Sequence, residues 1–70
     1  MSDVLSDIAG VVLEVLVREG DNVTEGQEVV NLESMKMEIP VQSTASGRVA
    51  AIKVAEGDFV DEGQLVLVLE

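Results

Sequence analysis

The chain is two copies of one pattern, and this repeat constrains its fold more than any other feature. Residues 4–33 overlay residues 41–70 at a constant offset of 37 positions, with fifteen identities in thirty and no gap. The matches include Val4/Val41, Ser6/Ser43, Gly10/Gly47, Val12/Val49, Glu19-Gly20-Asp21/Glu56-Gly57-Asp58 and Glu25-Gly26-Gln27/Glu62-Gly63-Gln64. A repeat has to be recognised before elements are assigned, because each copy then arbitrates the reading of the other. Between the copies lies one unpaired segment, residues 34–40, which contains one lysine, Lys36.

The arbitration favours strands throughout. Val11 to Val17 taken alone could be helix or strand. The matched positions 12/49, 15/52 and 17/54 are apolar in both copies, whereas Val11/Arg48 and Leu16/Lys53 carry a charge in one. Positions 12, 15 and 17 are therefore expected inside, with 11 and 16 outside. The three-residue step from 12 to 15 breaks strict alternation and predicts a bulge near Leu13-Glu14. A helix over Asn22 to Asn31 competes on its cap-like start, but Gly26 and the β-branched pair Val29-Val30 oppose it. Val4-Leu5-Ser6 and Val41-Gln42-Ser43 read as short strands after a loose start at Met1 to Asp3. Four strands per copy, separated by glycine turns, make eight, with Val29 and Leu32 and their mates Val66 and Leu69 also inside. With no helix to cover a sheet, the apolar faces must bury each other in two layers of a closed or nearly closed antiparallel architecture with two-fold pseudosymmetry. Phe59, the single aromatic, is expected to plug the core.

Composition narrows the function. Seventy residues make one small domain, 1–70, too small for a cleft with its own nucleophile, base and pocket. There is no cysteine and no histidine, which removes thiol chemistry, disulfides and the usual soft metal ligands, so neither a catalytic nor a metal residue is assigned. The formal charge of −10 repels nucleic acid and anionic membrane surfaces. No signal-peptide layout opens the chain and no apolar run reaches membrane-spanning length; the expected location is cytoplasmic.

Residues 34–40 must reverse the chain between two strands, yet they lack the Asn-Gly or Asp-Gly expected of a two-residue hairpin. Pro40 has no N–H to give a ladder and suits an edge or a strand end. Lys36 sits near the centre with Met35 and Met37 beside it and Glu33 and Glu38 outside. Composition alone reads this as a solvent-facing lysine between two core methionines. The alternative is an amine held at the apex of a stiff hairpin, with flexible thioethers for a partner to grip.

The run Glu33-Ser34-Met35-Lys36-Met37-Glu38 lies between Gly20-Asp21…Val23…Glu25-Gly26-Gln27 and Gly57-Asp58…Val60…Glu62-Gly63-Gln64. On these motifs the chain resembles the biotinyl/lipoyl attachment domains, and specifically the biotin carrier kind, over nearly its full length. The resemblance implies an all-β fold, a flattened β-barrel (barrel-sandwich hybrid) of two four-stranded antiparallel sheets. It implies that Lys36 receives biotin as an amide and that Met35 and Met37 are the flanks a biotin protein ligase reads. It further implies a carrier with no catalytic site of its own, serving a biotin carboxylase and a carboxyltransferase. Two departures stand out. The family's proline-containing turn before the first long strand is replaced by Ser6-Asp7-Ile8-Ala9-Gly10. The protruding loop of some carriers has no room between Val23 and Val29, which resembles the thumbless subtype.

Two rivals remain. One is a lipoyl carrier domain of a 2-oxo acid dehydrogenase-type system, or an acceptor of both biotin and lipoate. Such domains usually carry Asp-Lys-Ala at the tip, which Met35-Lys36-Met37 opposes. The other is an unmodified interaction module.

Overall fold

A computed structural model describes residues 2–70. Eight strands account for all its regular structure: β1 (Ser2–Leu5), β2 (Gly10–Val15), β3 (Asn22–Val23), β4 (Glu28–Ser34), β5 (Met37–Gln42), β6 (Gly47–Ile52), β7 (Phe59–Val60) and β8 (Leu65–Leu69). They form two four-stranded sheets, sheet 1 in the order β1-β8-β6-β3 and sheet 2 in the order β5-β4-β2-β7, with every pairing antiparallel. Advancing each strand of sheet 1 by one half-chain reproduces the order of sheet 2. The repeat read in the sequence is thus a two-fold in the strand topology.

The registers repeat as well. β2 skips Leu13 against β4, since Val12 faces Leu32 and Glu14 faces Asn31. β6 skips Ala50 against β8 in the same way, with Val49 facing Leu69 and Ala51 facing Val68. These bulges are the ones the three-residue step predicts. A second pair, at Val29 and Val66, leaves the neighbours Val29-Val30 and Val66-Leu67 buried together. Identical side chains make identical turns. Asp21 Oδ2 accepts the Arg18 N–H at 2.9 Å, and Asp58 Oδ2 accepts the Ala55 N–H at 2.9 Å. Gln27 and Gln64 accept the N–H groups of Thr24 and Asp61, each at 3.0 Å. The buried hydroxyls of Ser6 and Ser43 donate to the carbonyls of Ile8 and Ala45. An aspartate, glutamine or serine that satisfies turn backbone in one copy does so in the other, which accounts for their identity.

The core between the sheets is aliphatic: Val4, Val12, Val17, Val23, Val29, Val30 and Leu32 with their mates Val41, Val49, Val54, Val60, Val66, Leu67 and Leu69. Leu16 and Lys53 face solvent, as expected.

Several expectations are corrected. Val15 and Ile52 are half-buried, packed against the core from its margin, because the bulges turn the strand ends outward. The strand read over Val11 to Val17 would carry its mate through Lys53, but Lys53 lies one residue beyond β6, although its N–H still reaches Val66 O at 2.8 Å. Ser2 and Asp3 belong to β1 and are not loose; Met1 lies outside the described residues. Phe59 is 60% exposed and plugs nothing. β7 holds two residues, and alternation gives the inward position to Val60, so Phe59 must point out. Its mate, the polar Asn22, already carried that signal.

Candidate functional site

β4 and β5 form the longest hairpin of the chain, and residues 34–40 are its tip. Pairing runs from Glu28/Gln42 through Leu32/Ile39 and Glu33/Glu38 to Ser34/Met37, so only Met35 and Lys36 lie between the strands. The reversal is a two-residue turn despite the missing Asn-Gly. Met35 has φ 54° and Lys36 has φ 64°, which is the type I′ pattern of positive φ at both central residues. Those turns match the right-handed twist of the flanking strands. With side chains in place, however, each left-handed residue is disfavoured by roughly 1–2 kcal/mol. The six-pair ladder behind the turn constrains it nonetheless, and such strain gathers at functional positions.

Pro40 fits for a reason the register makes plain. β5 is an edge strand, and counting back from the hydrogen-bonded Ser34/Met37 pair, Asn31/Pro40 is a non-hydrogen-bonded pair. The proline nitrogen therefore faces away from β4 and takes no bond from the ladder.

Around the tip, Met35 is 92% exposed and Met37 63% exposed. The reading of core methionines flanking a lysine is excluded. Lys36 is exposed, and among the described residues the one ion pair joins Arg48 to Glu70, so no carboxylate of this chain holds the Lys36 ammonium. Glu33 and Glu38 stand opposite each other one pair below the tip; Asn31 Nδ2 donates to Glu38 Oε1 at 3.2 Å. Both carboxylates are exposed and neither lies in a cleft. A shallow depression of about 360 Å³ opens elsewhere, among Leu5, Asp7, Glu25, Pro40 and Thr44, and does not include Lys36. The three residues singled out in the sequence, Met35, Lys36 and Met37, are thus brought together on one exposed, strained turn. What sequence reasoning missed is the outward Phe59, in line across sheet 2 with Val11, Glu33 and Glu38.

The two sheets thus hold one amine out at the apex of the β4–β5 hairpin, away from any cleft. The chain belongs to the Biotin_lipoyl family, described as "Biotin-requiring enzyme", whose model matches residues 1–69. The relatives it matches are named for biotin. "Biotinylated protein TB7.3" of Mycobacterium tuberculosis is 62% identical over 39 residues, 56% of this chain and 55% of that protein. "Biotin/lipoyl attachment protein" of Bacillus subtilis is 52% identical over 40 residues, 57% of this chain and 55% of that one. The matched stretch therefore spans just over half the length of these curated relatives. Among solved structures, the Kluyveromyces lactis urea carboxylase superposes with a TM-score of 0.91 at 35% identity, covering 99% of this chain and 6% of that one. The fold is that of a carrier domain of the kind built into biotin-dependent carboxylases.

Proposed function

We propose that the chain is a biotin carboxyl carrier, modified on Lys36. The observation that carries this reading is the turn itself, an exposed lysine at positive φ between two exposed methionines. A biotin protein ligase presents the biotinyl group as its adenylate. The neutral Lys36 amine attacks the acyl carbon, the C–N bond forms, AMP leaves with the electron pair of the broken C–O bond, and the amine's proton passes to a base of the ligase or to water. One ammonium becomes a neutral amide, so the formal charge goes from −10 to −11. Met35 and Met37 are the apolar flanks that the ligase grips. The tethered biotin then carries a carboxyl group from a biotin carboxylase to a carboxyltransferase. Tethering supports such traffic because it replaces a bimolecular encounter by a local concentration set by the reach of the arm. Residues 1–70 act as one attachment domain in this scheme. The four residues Thr24 to Gln27 that join β3 to β4 leave no protruding loop, in keeping with a thumbless carrier.

A lipoyl carrier, or an acceptor of both groups, is the second reading, favoured by the name of the Bacillus subtilis relative. One experiment separates them. The protein and Lys36→Arg are made in cells supplied with biotin or lipoate and the matching ligase, and intact masses and modified peptides are measured. A biotinyl adduct on Lys36 is expected. Lys36→Arg should fold and take nothing, because a guanidinium stays protonated and is no nucleophile. An exclusively lipoyl adduct transfers the site to the second reading, and no adduct on either lysine leaves an interaction module.

A further inference from the structure

The two-fold relates side chains as well as strands, and one row breaks it. On the outer face of sheet 1, Asn22 lies opposite Arg48, and Arg48 exchanges both backbone hydrogen bonds with Glu70. The Arg48 guanidinium pairs with the Glu70 carboxylate, so the row is neutralised within the chain. The same register on sheet 2 reads Phe59 opposite Val11, Val11 opposite Glu33, and Glu33 opposite Glu38. Glutamate is kept, but the arginine that would pair with it is Val11, and the asparagine is the chain's one aromatic. Directly opposed like charges destabilise an antiparallel pair. Phe59 at 60% exposure and Val11 at 39% leave apolar area in water beside them. Nothing in the fold requires either feature, since sheet 1 is built without them. Both lie in one row, and that row ends one residue pair below the Lys36 turn.

The geometry points to the row Phe59-Val11-Glu33-Glu38 as the docking surface for the enzyme that acylates Lys36. This rests on the carrier reading. The complementary face carries an apolar socket that takes Phe59 over Val11. Next to the socket stands a cation, which pairs with the Glu33 carboxylate as Arg48 pairs with that of Glu70. Aromatic side chains ringed by polar groups are the usual anchors of such contacts, and complementary charge fixes their register. A second copy of this chain is the wrong occupant, because it would set another acidic row against this one. Bound in this way, the partner is fixed against the flat of sheet 2, and the turn enters its site from a defined direction.

The symmetry supplies the test. Phe59→Asn copies Asn22 into the row, and Val11→Arg copies Arg48 and gives Glu33 a cation within the chain. Asn22→Phe puts an aromatic on the other sheet as a control. Initial rates of biotin transfer are measured with a purified biotin protein ligase, biotin and ATP over a series of carrier concentrations, beside thermal unfolding of each variant. F59N and V11R should each raise KM about tenfold with kcat near wild type, the scale of losing one central anchor. Both should melt with the wild type, since the exchanged side chains are already accommodated on sheet 1; were F59N to unfold, V11R alone decides. N22F should leave KM unchanged. Wild-type KM values for F59N and V11R, with Lys36 of the wild type still biotinylated, overturn the docking surface and leave the carrier reading standing. A rise in KM for N22F equal to that for F59N overturns it too. No transfer to wild-type Lys36 overturns both.

Discussion

Gly10 passes so close beneath the Glu33 carbonyl that a methyl group on it would come within 2.6 Å of the oxygen. Gly47 and Glu70 repeat the contact at 3.0 Å. A Cβ at Gly10 must therefore move β4 where it enters the Lys36 turn, whereas at Gly47 a smaller shift suffices. Overpacking of this kind destabilises by about 1–3 kcal/mol. Urea unfolding should place Gly10→Ala near the upper end of that range and Gly47→Ala below it. Biotin transfer should slow in G10A more than in G47A, since only the first displaces the tip.

Strain at the tip predicts a trade between stability and use. Asparagine tolerates the left-handed region better than methionine does. Met35→Asn should therefore raise the unfolding free energy, by about 0.5–1 kcal/mol on the scale of the penalty relieved. The same change removes a thioether, and transfer to Lys36 should slow. A stability measured at or below wild type would show that the turn stores no strain at Met35.

Val17 and Val54 occupy matching places, 6% and 8% exposed. Truncating either to alanine should destabilise by about 1–3 kcal/mol, by analogy with large-to-small core changes elsewhere. The two losses should agree within error, because the surroundings are repeated. Chemical unfolding of V17A and V54A side by side tests the symmetry energetically.

The formal charge of −10 should speed encounter with a cationic partner and lose that effect in salt. The value of kcat/KM for biotin transfer should fall roughly tenfold as ionic strength rises from about 0.02 to 0.5 M. A flat profile would remove electrostatic steering while leaving the attachment site untouched.

Most of the architecture was legible because the repeat turned each ambiguous residue into a comparison. Arg48 showed that Val11 faces out, and Lys53 did the same for Leu16. The bulge at Leu13 followed from an apolar spacing that only one extra residue can satisfy. Val30 and Leu67 were harder to place. They share the core with Val29 and Val66 through a second bulge, and a buried pair of neighbours has no period to read. Phe59 was misjudged because its hydrophobicity outweighed the evidence of Asn22. The tip was legible in its residues and not in its geometry: Met35-Lys36 has no turn signature, and the ladder imposes a backbone that neither residue prefers.

Ser2 pairs with Leu69 at the place on sheet 1 that the two-fold maps onto the pair Ile39/Leu32 on sheet 2. The fold is therefore close to a ring with two equivalent corners, one closed by Met35-Lys36 and the other holding the ends of the described chain. A circular permutant opened between Met35 and Lys36, and joined between Glu70 and Ser2 by a short turn, would trace the same two sheets with the halves exchanged. A lysine flanked by methionines on the new turn would then stand where the fold now holds none. The backbone is indifferent to which corner carries the lysine, whereas the row Phe59-Val11-Glu33-Glu38 stands beside one corner alone.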